Sequence, residues 1–314
     1  MKNEIQKSSE YSQRIDEEDI ILQVLKIFFK RIKIISIFSI VSVILSIGIA
    51  LLIPNVYMSS ALLAPAEDTE SLSSKLGAYS SLAGIANVSL PGETNNSSSE
   101  AIERIKSFSF FQDYFLPNIK LEDLYAANGW DEETNQVTYK SKIFDNKKGT
   151  WVREVKPPKK SKPSNQEAFE IYEDILSISE DRKTMFVRVS IEHFSPHIAK
   201  EWLEIIIFNI NESMRKIDQD TAKDSISFLN QTAQDTNLNE IKEAISALLE
   251  TQMQNLMLAS ASEYYIFKII DYPIAAEEKI RPNRAIVVIL GSIIGFLVAL
   301  FTAIGIEYYS KNHE

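Results

Sequence analysis

The chain has 314 residues, with 33 basic and 43 acidic side chains and a net charge of −10. The acidity sits in the middle: residues 54–283 carry 24 basic against 35 acidic groups, while each end is close to neutral. This argues against a nucleic-acid binder that needs many phosphate contacts. The absence of cysteine excludes thiolate chemistry, Cys-ligated metals and disulfides.

Residues 34–53 and 285–306 are two charge-free apolar runs, each of the length a helix needs to cross roughly 30 Å of hydrocarbon. The first begins too far in and runs too long for a signal-peptide core, so an uncleaved anchor is expected. Lys26, Lys30, Arg31 and Lys33 crowd its front edge, which puts residues 1–33 in the cytoplasm. The second span then returns residues 307–314 to the same side, although Lys279, Arg281 and Arg284 stand against that bias. Ser42, Ser46 and Ala50 in the first run, and Gly291, Gly295, Ala299 and Ala303 in the second, recur at every fourth residue. Small residues at this spacing form a flat stripe for close helix packing in lipid, within one chain or between chains.

Residues 54–283 form the working domain between the anchors. A strand is expected over 56–65, with Val56, Met58, Leu62 and Ala64 on one face. Residues 67–99 read as a loop broken by an apolar patch at 82–90. Ile102, Ile105, Phe108 and Phe111 suit a helix over 100–116. Residues 140–162 hold nine Lys or Arg, and Pro157, Pro158 and Pro163 argue against regular structure there. Lys147, Lys148, Arg153, Lys156, Lys159 and Lys160 could contact an acidic glycan or lipid headgroups, or line a solvated loop. A short helix over 166–176 follows. Next comes a strand over 185–191 with Val187, Val189 and Ile191 inward and Arg188 and Ser190 outward.

Ser195-Pro196 is a helix-start signal. The pattern behind it runs without Pro or Gly over 196–235, about 60 Å of helix. Ile198, Trp202, Ile205 and Ile206 make its early face apolar. After a break at 236–239, a second helix over 239–260 carries Ile241, Ile245, Leu248, Leu249 and Met253. A strand over 264–272 leads to Pro273. The expected architecture is α+β: two transmembrane helices flanking an exported domain with a membrane-proximal mixed sheet and a long helical arm.

Motifs for chemistry are missing. There is no P-loop, no G-x-S-x-G and no H-E-x-x-H. His193 and His197 are four apart but straddle Ser195-Pro196, so a shared metal is not expected. No enzyme activity, cofactor or metal is implied.

Two stretches resemble the chain-length determinant (Wzz) family, the polysaccharide co-polymerases. One covers residues 17–65 and includes Glu18-Asp19-Ile20, Pro54-Asn55-Val56-Tyr57 and Ser60-Ala61-Leu62-Leu63. The other follows the family pattern P-x2-P-x4-S-P-K-x11-G-x3-G through Pro273, Ala276, Arg281, Pro282, Asn283, Gly295 and Ala299. Pro273, Pro282 and Gly295 match outright; Ala276, Arg281, Asn283 and Ala299 are departures. The segment 264–271 also looks like the family's closing strand, and residues 66–184 show no match. The resemblance implies a bacterial inner-membrane protein with a periplasmic main domain, assembled as a homo-oligomeric ring. With a separate polymerase, such proteins regulate the chain length of O antigen, in lipopolysaccharide biosynthesis, or of a related glycan. The implied partners are further copies, the polymerase, membrane lipid and the growing glycan; Pro273 and Pro282 would form a proline-containing stalk. No kinase domain is expected after Ile306. A two-span periplasmic sensor working through a separate cytoplasmic partner is the alternative, and an export adaptor the third reading.

Overall fold

The computed structural model describes residues 30–66, 94–236, 238–262 and 264–311, with the side chains of 94–96, 307, 308, 310 and 311 left aside. Glu18-Asp19-Ile20, Lys26, the patch at 82–90 and His313 lie outside the described residues. The chain divides into two units, Met1–Pro54 with Ile280–Glu314, and Asn55–Lys279.

The first unit holds two helices, α1 (Ile32–Leu52) and, at the other end of the chain, Arg284–Lys311. Both are long and apolar enough to cross a membrane, over Ile32–Leu52 and Arg284–Ile306. The second helix continues past the apolar run, so residues 307–311 are helical rather than a separate tail. Most of the large apolar side chains point outward: Ile40, Ile44, Leu45, Ile293 and Phe301 are all exposed. A surface of that kind suits hydrocarbon, not water.

The second unit is α+β. Its elements in order are β1 (Tyr57–Pro65), α2 (Thr94–Ile105), α3 (Phe108–Phe110), α4 (Leu121–Tyr125), β2 (Ala127–Asp131), β3 (Gln136–Tyr139), β4 (Phe144–Asp145), β5 (Thr150–Trp151), α5 (Asn165–Ile175), β6 (Leu176–Glu180), β7 (Val187–His193), α6 (Pro196–Asp235), α7 (Asn239–Ala261) and β8 (Phe267–Asp271). The terminal helix of the first unit is α8. The main sheet has the order β6-β7-β1-β8.

Every pair in that sheet is antiparallel, so the sheet is not mixed as expected. The cause is the path of α6. β7 ends at His193, opposite Tyr57 at the start of β1. The first turns of α6 then run along the sheet until Asn211 meets residues 265–267. There Phe267 pairs with Pro65, at the far end of β1. The chain re-enters the sheet from the opposite end, and β8 must oppose β1.

The core lies between the sheet and α6. Leu63, Val187, Val189 and Ile191 are fully buried, as are Leu203, Ile206 and Ile210. On β1 the buried face carries Ser59, Ala61 and Leu63, while Met58, Leu62 and Ala64 are not fully covered. Period-two alternation shows two faces without saying which one α6 will cover. Ser190 is also buried rather than outward. Its neighbours on β7 face α6 as expected.

Helix 100–116 is not continuous, and residues 94–99 are helical rather than loop. Ser107 takes an extended conformation and accepts a hydrogen bond from Phe110 N, ending one helix and capping the next. A π-helical turn, Phe111–Phe115, follows α3 and turns both of its terminal phenylalanines into the core. Phe115 sits 4.8 Å from the Tyr172 ring and edge-on to Trp202 at 5.6 Å. The Tyr172 hydroxyl donates to Ile105 O at 2.9 Å, so its one polar atom is satisfied.

Residues 127–151 form two small hairpins, the second inside the stretch 140–162 where the sequence reading expected no regular structure. Asp131 Oδ1 accepts the Glu133 and Thr134 N–H groups, and Asp145 Oδ1 accepts those of Lys147 and Lys148. These aspartate turns supply the reversals that hydrophobic periodicity misses. Helix α6 begins at Pro196 behind Ser195 and runs 40 residues. Along α7 only Ile245 and Ala259 are buried; Ile241, Leu248 and Met253 of the expected stripe are exposed.

Candidate functional site

Three sets of residues carry the functional reading: the small-residue stripes of the helical unit, the approach to and exit from β8, and the basic segment. In the helical unit, Ser42 meets Gly295 and Ser46 meets Gly291, so α1 and α8 run antiparallel. The Ser42 hydroxyl donates to Gly291 O at 3.0 Å, across the pair. Ser46 turns back to Ser42 O at 2.8 Å. A Cβ on either glycine would overlap the facing serine side chain. Ala299 and Ala303 are fully buried with Ile35, and Ala50 is buried too. The two stripes therefore face each other within one chain, with backbones as close as residues without large side chains allow.

In the α+β unit, the approach to β8 is held by one buried side chain. Asn211 Oδ1 accepts the N–H groups of Tyr265, Ile266 and Phe267 at 3.2, 2.9 and 3.0 Å, and its Nδ2 donates to Ile207 O at 3.0 Å. Arg215 donates to Ser262 O, and Tyr265 OH to Asp218 Oδ2 at 2.5 Å. Burial and that carboxylate both push the Tyr265 phenol up. This explains why the strand expected over 264–272 shortens to Phe267–Asp271: residues 265 and 266 spend their N–H groups on α6. After β8, Pro273 is buried, the Ser59 hydroxyl donates to Ile274 O at 2.8 Å, and Lys279 reaches Asn55 Oδ1 at 3.1 Å. Pro282 falls in the helical unit, so the two stalk prolines lie in different units.

The basic segment divides. Lys147, Lys148, Lys156, Lys159 and Lys160 are exposed, but Arg153 is buried and unavailable to a ligand. Its guanidinium grips Glu167 through two bonds of 2.9 and 2.7 Å, and donates to Tyr125 OH, Ser161 O and Lys160 O. Lys159 adds its ammonium at 3.3 Å from Glu167. Glu167 also closes a capping box with Ser164 at the start of α5. Arg153 thus pins the basic segment to a helix, a task that charge counting cannot separate from ligand binding.

The Arg153 hydrogen bonds hold the Glu167 carboxyl at about 2, against an ordinary 4.5. The unfolded chain takes up this proton first as pH falls. The pair's stabilisation is therefore complete above about pH 4.5 and is lost between there and about pH 2. Arg153→Met should lower stability by about 2–3 kcal/mol at pH 7, and flatten the acid limb of stability against pH. Denaturant melts of both proteins from pH 7 to 3 measure this.

His193 and His197 do not converge. His193 is the buried last residue of β7; its Nε2 faces Asp123 O at 3.0 Å and its Nδ1 accepts Ser195 N–H at 2.9 Å. Burial lowers its pKa and keeps it neutral. His197 is exposed beside Trp130. No group of His, Asp or Glu among the described residues is arranged to hold a metal.

Sequence reasoning missed Asn211, whose only signal was a polar residue among Ile206, Ile207, Ile210 and Met214. It also missed an aromatic cleft beside β8, lined by Phe208, Tyr264 and Tyr272.

No protein-family model and no curated protein matches the chain. Among solved structures the chain is similar to a full-length bacterial polysaccharide co-polymerase, with 13% identity and a TM-score of 0.42 over 91% of this chain and 97% of that one. It is also similar to a fragment of WzzB, a polysaccharide co-polymerase from Salmonella Typhimurium, with 14% identity and a TM-score of 0.33 over 72% of this chain and 100% of the fragment.

Proposed function

We propose that this chain is a non-catalytic regulator of surface polysaccharide length, anchored in a bacterial inner membrane by α1 and α8 and acting beside a separate polymerase. The observation that carries the reading is the pairing of β1 with β8. The strand that follows the first apolar helix and the strand that precedes the second lie side by side in one sheet. The residues resembling the chain-length determinants lie on these strands and in the flanking segments. Their register with the family pattern, from Pro273 to Ala299, supports the same reading.

In this mechanism the α1–α8 pair anchors each subunit, and the sheet joins the strands that lead from one span and into the other. Copies associate through the exposed apolar side chains of α7, and the domain outside the membrane meets polymerase or growing glycan. The domain is periplasmic and both termini cytoplasmic. The exposed lysines 147, 148, 156, 159 and 160 face acidic glycan or lipid phosphate.

The test is a gel profile of surface polysaccharide from cells lacking the protein, with and without its restoration. Loss of a modal length with total polymer retained is the expected result. An unchanged profile would remove the reading and favour a two-span sensor.

A further inference from the structure

We infer that the cleft beside β8 is a binding site for a neutral oligosaccharide, held by Phe208, Tyr264 and Tyr272 and oriented by Glu204 and Glu212. The cleft has a volume of about 220 Å³ and lies wholly within the α+β unit. Glu204, Phe208 and Glu212 recur at every fourth residue of α6, so an aromatic ring stands between two carboxylates on one helix face. Phe208 is 66% exposed and Tyr272 57%, a large aromatic investment at the surface. The Tyr264 and Tyr272 hydroxyls meet at 3.1 Å, although eight residues apart, and close the opposite wall. Ile207, Ile269 and buried Pro273 complete the lining.

The wall is fixed before any ligand arrives. Asn211, which also lines the cleft, ties α6 to the backbone of residues 265–267, so the aromatic groups on α6 and around β8 keep their spacing. A sugar ring has an apolar C–H face, which matches the negative face of an aromatic ring, and hydroxyls at its rim, which donate to carboxylates. The volume falls below the range of about 300–1,000 Å³ usual for drug-sized ligands and suits one or two sugar rings. Glu204 has an exposed partner, Lys200 at 3.7 Å, which such a pair releases at little cost; half-buried Arg215 holds Glu212 Oε1 at 2.6 Å, and that carboxylate has further lone pairs to accept from a sugar hydroxyl. Phosphates and uronic carboxylates are acceptors with no proton to donate to Glu204 and Glu212, so nucleotides and acidic glycans are disfavoured. A lipid tail or a protein's apolar side chain would gain nothing from these two carboxylates. This site is distinct from the lysine segment. It leans on the proposed function only for where the sugar comes from.

The experiment is saturation-transfer NMR on the full chain in detergent, with neutral maltotetraose and chitotriose and with acidic tri-galacturonate. Expected is transfer to the C–H protons of at least one neutral sugar and none to the acidic one. Phe208→Ala and Tyr272→Ala should each weaken binding by about tenfold or more. Both side chains are exposed, so helical circular dichroism should stay unchanged. Glu204→Gln with Glu212→Gln should admit the acidic sugar.

No transfer from any of these sugars, or transfer indifferent to both aromatic substitutions, would overturn the site. A change in particle mass by light scattering on Phe208→Ala, with sugar transfer unaltered, would assign the cleft to a second copy and also overturn it. Sugar binding with normal polysaccharide length in cells carrying Phe208→Ala would uphold the site and separate it from length control, whose own test is the profile of cells lacking the protein.

Discussion

Gly295→Leu should separate the two apolar helices. Even the Cβ of the new side chain would overlap both Cβ and Oγ of Ser42. Overpacking of this kind costs about 1–3 kcal/mol where neighbours can shift, and here the nearest neighbour is anchored by its hydrogen bond to Gly291 O. A loss of about 3 kcal/mol in pairing is expected. In a chain without native cysteine, dyes on cysteines introduced at the exposed Leu52 and Ile286 report the separation by fluorescence transfer during SDS titration. The mechanism has a specific rescue. Gly295→Ala alone should also weaken the pair, and Ser42→Gly added to it should recover most of the loss, because the clashing atoms are removed together. If the double variant pairs no better than Gly295→Ala, close contact at this point is not what holds the helices. In cells, the proposed function adds that Gly295→Leu shifts polysaccharide length while the protein is still made.

Asn211→Leu is expected to be the most damaging single change in the α+β unit. It leaves three N–H donors, at 265, 266 and 267, facing an apolar side chain between α6 and the start of β8. At about 1–3 kcal/mol for each buried donor left unmet, partly relieved by water and backbone movement, the cost should be about 3–5 kcal/mol. Trp202, buried between His193 and Phe115, reports the unfolding by fluorescence. Asn211→Asp keeps the acceptor for the three N–H groups but sets a carboxylate oxygen against Ile207 O, where the amide donated. It should recover at least half of the leucine variant's deficit at pH 7. Equal deficits in the two variants would mean that side-chain volume, not hydrogen bonding, sets the cost. The loss should also loosen the cleft, since Asn211 holds the two sides together.

The two apolar helices could be read from the sequence because the signal is local: a run of apolar residues needs no partner to be recognised. The serine, glycine and alanine stripes were visible for the same reason, as a four-residue spacing on a known period. Helix α6 was likewise plain in a long stretch without Pro or Gly behind Ser195-Pro196. The role of Arg153 was not. Counted with its neighbours it belonged to a basic patch, and only the placement of Glu167, fourteen residues on and at the start of another helix, shows that its charge is already consumed. Asn211 was equally silent, because a polar residue in an apolar stripe gives no hint of which backbone it will satisfy.

The sequence by itself therefore determined the periodic and compositional features: two apolar spans, a long helix that starts at a proline, alternating strands, and a chain without thiols. Only the tertiary structure decided which face of β1 is buried, that every strand pair is antiparallel, and that the stripes of α1 and α8 meet within one chain. The same holds for the aromatic cleft, whose walls come from α6 and from either end of β8. The physical reason is the range of the interactions. Helix and strand periodicity is written in neighbours a few residues apart, whereas burial, strand direction and shared hydrogen bonds depend on where a 40-residue helix brings the chain back.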